Sequence, residues 1–256
     1  MRRLERILLP VGVLVALFAI WELYVDLGGA DPLVLPPPHA IASALYTDRA
    51  TLWSSFTATA QEVLFGIAVA VVAGSVLAVG IHLFATLRRA FMPLVIASQA
   101  VPIVVIAPLF LLWLGFGILP KLLIIALVAF FPVVVTTTAA LETVDPELIK
   151  LMRTFDASRL HTLCRIELPA ALPGLFTGAK LAAVFSVIGA VFAEQAGSNS
   201  GLGYLLTISE NQFLESQAFA AVAILSLFAI ALFALLTVAE RRALPWAYRP
   251  KGDATR

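Results

Sequence analysis

Charge is scarce in this chain, and its scarcity excludes more than any motif does. Asp, Glu, Lys and Arg make up 13% of 256 residues against 61% hydrophobic, more apolar sequence than a water-soluble domain of this length needs. Cysteine is nearly absent too. Cys164 stands alone, so no internal disulfide can form. The three histidines, His39, His82 and His161, are far apart, and no second His or carboxylate stands near His39 at metal-ligand spacing. That leaves neither a metal motif nor the clustered His, Asp and Glu of a membrane-embedded enzyme. No G-x-x-x-x-G-K-[ST] phosphate loop occurs, and the polar segments are too short for a nucleotide domain. No cofactor is therefore expected on this chain, and energy for any driven process must come from a partner. No basic face carries interleaved aromatics, which excludes nucleic acid as a partner. The Phe18-Ala19-Ile20-Trp21 stretch offers no small-residue cleavage site, so the first apolar run reads as a retained span.

What is present is apolar sequence in bilayer-length runs. About 20 apolar residues cross a membrane as a helix, and residues 7–24, 60–83, 90–114, 120–141, 175–197 and 218–239 each approach that length. The expectation is an all-α polytopic membrane protein of about six spans, a single transmembrane domain over 1–256. With the N-terminus inside, the inner segments hold Arg2, Arg3, Arg6, Arg88, Arg89, Lys150, Arg153, Arg159, Arg165, Arg241, Arg242, Arg249, Lys251 and Arg256. The outer segments hold only Arg49 and Lys121, with Lys180 inside a span. Basic residues accumulate on the cytoplasmic side, so both termini are expected there, with the chain a multi-pass component of the cell (inner) membrane.

Two spans carry small residues every fourth position: Gly66, Ala70, Gly74 and Ala78, then Gly174, Gly178, Ala182, Ser186 and Ala190. Such stripes let helix backbones approach closely. They predict packing within the chain, a dimer interface or a pathway lining. Pro93, Pro102, Pro108, Pro120 and Pro132 break the third and fourth spans, as happens where neighbours or water satisfy the freed carbonyls. Charges inside a span need a reason. Glu194 continues the second stripe, placing it at a central cavity or against a backbone donor near the outer end. Ser186 and Gln99 are the other candidates for a translocation path. Lys180 is expected to snorkel inward and Glu62 to sit at the interface. The run from Gly197 through Ser198, Gly201 and Gly203 predicts a tight turn and a short helix dipping back toward the membrane.

Residues 145–168 are the one long polar stretch, closed by Pro169 and Pro173. Asp145 suits a helix N-cap and Pro146 the first helical position. Asp156 then serves as a turn residue or a second N-cap, and the prolines re-aim the chain into the bilayer. Leu148, Ile149, Met152 and Phe155 are apolar knobs on an otherwise polar helix–turn–helix between spans four and five. Such a surface is built to be gripped by a soluble partner.

This loop, 145–169, resembles the coupling loop of bacterial ABC importer permeases, whose pattern is E-A-A, three residues, G, nine residues, I-x-L-P. Ile166-Glu167-Leu168-Pro169 matches the end, Asp156 stands at the glycine position, and Lys150-Leu151-Met152 replaces the triplet. Arg153-Thr154-Phe155-Asp156-Ala157-Ser158 is similar to the R-T-[LF]-G-A-S core. Gly201-Leu202-Gly203-Tyr204-Leu205-Leu206 resembles the branch handling nitrate, sulfonates, taurine, bicarbonate and thiamine pyrimidine precursors. The resemblance implies a permease subunit of an ATP-driven importer, with ATP and Mg on partner ATPases. Its expected partners are two ATP-binding subunits, an external substrate-binding protein, a second permease copy as a homodimer, and the lipid bilayer. It implies that Leu151, Met152, Arg153, Thr154, Phe155, Asp156, Ala157 and Ser158 dock the ATPase, while Ile166, Leu168 and Pro169 hold the loop to the bundle. An ion-coupled secondary transporter or channel is the alternative, and it would show several charges near the midplane and an internal repeat.

Overall fold

Long apolar runs away from water must satisfy every backbone N–H and C=O within the segment, and helices do this alone. The computed structural model describes residues 2–248, with side chains from Leu8 onward except Pro10, and among these residues every regular element is helical. Helices α1 (Arg2–Asp26), α2 (Pro38–Thr47), α3 (Arg49–Leu83), α4 (Ala85–Ala97), α5 (Ile103–Leu114) and α6 (Ile118–Glu142) come first. Then follow α7 (Pro146–Thr154), α8 (Arg159–Thr162), α9 (Leu168–Gly197), α10 (Leu202–Asn211) and α11 (Glu215–Ala243). Arg249, Lys251 and Arg256, counted above on the inner side, lie outside the described residues, as do the side chains of Arg2, Arg3 and Arg6.

Among the described residues, α3, α6, α11 and the stretch Arg159–Gly197 are long and apolar enough to cross a membrane. The expected third span is not one straight crossing. The α4 segment and α5 meet at 103°, with a 3-10 turn at Ser98–Ala100 and Pro102 in extended backbone before α5. Pro102 disfavours helical geometry at Val101, which is extended, and that breaks the run. The first expected span lies within α1, whose described apolar side chains, such as Leu9 and Ile20, are exposed. The expected re-aiming by Pro169 and Pro173 does not occur. A π turn at Leu163–Glu167 joins α8 to α9, and the helix runs on through both prolines. Pro169 sits in the first turn of α9, where a missing N–H costs little.

The core is a layer with α6 in the middle and α3 and α9 against it. Both small-residue stripes face α6. A Cβ on Gly74 would stand 2.9 Å from the Val133 Cβ, and one on Gly178 would stand 2.9 Å from the Val133 Cα. Ala70, Ala182, Ala129 and Val133 form one buried cluster. Of the three readings of the stripes, packing within the chain is what this layer contains: side chains larger than methyl would separate helices whose attraction in lipid is mostly close contact. The α2 helix packs Ile41 and Ala44 into a second cluster with Leu202 and Leu205 of α10 and Leu225 of α11.

Candidate functional site

The hairpin α7–α8 projects from one end of the layer, and each of its turns has a local cause. Asp145 caps α7, its Oδ1 accepting from the Glu147 N–H at 2.9 Å, and Pro146 opens the helix. The helix ends at Phe155, and Asp156 follows with φ 57°, the left-handed region. The Ala157 N–H donates to the Met152 carbonyl at 3.1 Å and the Asp156 N–H to the Arg153 carbonyl at 3.0 Å. These paired bonds are a Schellman motif, which calls for glycine at the left-handed position and accepts Asp at a cost. Asp156 is therefore a turn residue. The second cap is Ser158, whose Oγ accepts from the His161 N–H at 3.3 Å.

Among the described residues, nothing covers the outer surface of the hairpin. Leu148, Leu151, Phe155 and Leu160 are exposed, Phe155 to 74%, and Arg153, Thr154, Asp156 and Ser158 stand exposed among them. Met152 and Ala157 are half-buried. A large apolar side chain left in water forgoes about 1.5–3 kcal/mol that burial would return, and several together mark an interaction surface. At the root, Leu168 packs with Leu141, Leu163 and Ala171, and Ile166 and Pro169 are half-buried. Glu167, between them in sequence, is fully buried. Its Oε2 lies 3.0 Å from His82 Nε2 of α3, its Oε1 pairs with the Arg159 guanidinium, and that guanidinium also stands 3.0 Å from the same His82 nitrogen. Beside this cluster, Arg88 of α4 bridges Glu142 of α6 at 2.7 Å.

The opposite end of the layer holds a buried polar network, in which Glu62 Oε2 is left without a hydrogen-bond partner. Lys121, expected in an outer loop, is buried: its Nζ donates to Glu62 Oε1 and to Ser198 Oγ, both at 2.6 Å. Glu62, expected at the interface, is buried with it. Because α3 begins at Arg49 and α6 at Ile118, both residues lie inside helices and are buried against each other, which the sequence did not show. Glu194 is 1% exposed. It accepts from Thr59 Oγ1 at 2.7 Å and from the Gly203 N–H at 2.6 Å, while the Leu202 N–H donates to Thr59 Oγ1 at 2.8 Å. Gly201 has φ 108°, and a Cβ there would collide with the Glu194 carboxylate. The glycines thus let the 197–203 turn close over the acid. Of the two placements open for Glu194, the structure has the one against a backbone donor.

The three path candidates do not share a lining. Gln99 is exposed at the α4–α5 bend, and Ser186 is wholly buried with no hydrogen-bond partner for its hydroxyl. Lys180 does not snorkel free but donates to Glu240 of α11 at 2.8 Å. His39 has an acidic neighbour after all. Its backbone N–H donates to Glu22 Oε2 at 3.2 Å, its ring pairs with Oε1, and Asp26 lies beside them. Sequence reading missed His82, Arg159, Glu167, Thr59 and Ser198, because each acts through a partner more than 70 residues away or through the π turn. The usable signal was Lys121 itself, a charge beside an apolar run that only a buried counter-charge explains.

Comparison with known proteins places this architecture. A crystal structure of an amino acid ABC transporter with histidines superposes with a TM-score of 0.62 at 15% identity, covering 77% of this chain and 96% of that one. The chain is 32% identical over 247 residues to the formylaminopyrimidine transport permease protein ThiX of Halalkalibacterium halodurans, covering 96% of this chain and 98% of that one. It is 33% identical over 240 residues to the riboflavin transport system permease protein RibX of Chloroflexus aurantiacus, covering 93% and 89%. Residues 66–245 match the family described as binding-protein-dependent transport system inner membrane component. With the exposed hairpin and the helical layer that this match spans, the chain belongs to that family and is an ABC transporter permease.

Proposed function

We propose that this permease is the membrane subunit of an ATP-driven importer of a small polar organic molecule or anion, a pyrimidine thiamine precursor or a sulfonate-like solute. The likeness to a formylaminopyrimidine permease across nearly the whole chain supports the pyrimidine reading. Two ATP-binding subunits grip the α7–α8 hairpins of two permease copies, and an external substrate-binding protein delivers the solute. ATP and Mg are held, and ATP is hydrolysed, on the partner subunits; this chain binds no cofactor of its own. Both termini and the hairpin face the cytoplasm, as the basic-residue distribution supports. Closure of the ATPase pair displaces the hairpins and rotates the permease halves between outward- and inward-open arrangements.

The observation that carries this reading is the uncovered apolar face of the hairpin, with Phe155 and Leu151 standing out beside Arg153. Inserted into a groove, these side chains recover the burial they lack in the isolated chain. The test is co-purification with the ATPase subunit: Phe155→Asp abolishes it while the permease still inserts in the membrane. A fully coupled ATPase after that change would overturn the assignment.

A further inference from the structure

The helix α9 carries a buried carboxylate at each end, and both acids are spent on α3. At the hairpin end Glu167, at the last position before α9, binds His82 of α3 and Arg159 of α8. Twenty-seven residues on, about 40 Å along a helix, Glu194 accepts from Thr59 of the same α3 and from the Gly203 N–H in the 197–203 turn. The two contacts run antiparallel, 167 to 82 and 194 to 59, and their separation exceeds the roughly 30 Å hydrocarbon thickness. Between them the pair is cemented through α6 by the small-residue stripes. A hydrogen bond to a buried acid at each end of the helix pair opposes sliding and splaying, which close packing alone resists weakly. Because α8 passes into α9 without a break, any displacement of the hairpin enters α9 directly.

We propose that Glu167 and Glu194 are positioning residues that clamp α3 to α9 at both faces of the membrane. A movement of the hairpin is thereby delivered to the 197–203 turn at the far end rather than lost in helix slippage. This rests on the importer reading above and deepens it: the far turn, pinned by Glu194 and by the Lys121 bond to Ser198, is where the hairpin's motion is read out.

Methionine in place of either acid keeps much of the side-chain volume but offers neither carboxylate oxygen, so both bonds to that side chain are lost. The test uses the whole transporter in lipid vesicles, with Cys164→Ser and a reporter cysteine at the exposed Asn199. Maleimide labelling of residue 199 is timed with and without ATP and vanadate. The expected parent result is a change of about fivefold or more on trapping, the scale of ordinary coupling between distant sites. Glu167→Met and Glu194→Met each abolish that change while ATP hydrolysis continues, and the double variant is no worse than either, since a transmission broken once is already broken. Where an acid variant fails to assemble, His82→Phe or Thr59→Val removes the same bond from the other side. A full labelling change in any of these assembled variants overturns the clamp, because a merely structural role lowers thermal stability without touching that readout. A parent that holds its ATPase but shows no change at residue 199 also overturns it. A parent that holds no ATPase at all refutes the importer reading instead.

Discussion

The two ends of the α3–α6–α9 layer solve opposite problems with the same few polar residue types. At the hairpin end, apolar side chains stand in the open and the root beneath them is pinned by Glu167, with an Arg159 side chain that still reaches water. At the other end, two carboxylates and a lysine are withdrawn from solvent beneath the 197–203 turn. Bonding accounts for the difference. A surface that will be covered by another protein can leave its apolar groups unspent, whereas a surface sealing a bundle must satisfy its buried charges within the chain. One end leaves apolar groups for a partner, and the other spends most of its buried polar groups within the chain.

That contrast is most sharply tested where burial is deepest. Lys121→Met leaves Glu62 as an uncompensated buried charge and is expected to destabilise the chain by about 3–5 kcal/mol, measured by thermal or denaturant unfolding in detergent. Adding Glu62→Gln should recover most of the loss. If Lys121→Met costs less than a surface substitution, the far end is not closed. In the layer linking the two ends, Ala182→Leu forces α9 from α6 and should cost about 1–3 kcal/mol. Leu181→Ala, on the exposed side, should cost far less, and equal losses would mean the stripe is not the packing face. At the hairpin, Asp156→Gly should stabilise by up to about 1 kcal/mol, because φ 57° carries no Cβ penalty in glycine. Smallest of all, Phe155→Ser in the isolated permease should change its stability by no more than about 0.5 kcal/mol, since that ring is 74% exposed among the described residues. A larger loss would mean the hairpin face is already in use within the chain.

How much of this could be read beforehand follows from range. The hairpin was legible because its devices are local: an Asp–Pro start, a left-handed turn residue and a serine cap all act within a few positions. The stripes were legible as stripes, but which helix they meet was not, since a four-residue period describes a face and names no partner. Lys121 and Glu62 were misplaced because both sit beside prolines or polar residues that mimic a span's edge. Only the 2.6 Å bond across 59 residues explains either. Glu167 was hidden inside a motif whose neighbours matched, and its partner His82 stood out only as one of three scattered histidines.

In the proposed importer, the ATPase subunit covers the hairpin end and leaves the far end untouched. Single cysteines at Leu151 and at Tyr46, both exposed in this chain, can be placed in a Cys164→Ser background and labelled before and after assembly with the ATPase subunit. The account predicts that assembly protects residue 151 and leaves residue 46 as reactive as before. Equal labelling of residue 151 in the free and assembled permease would contradict it.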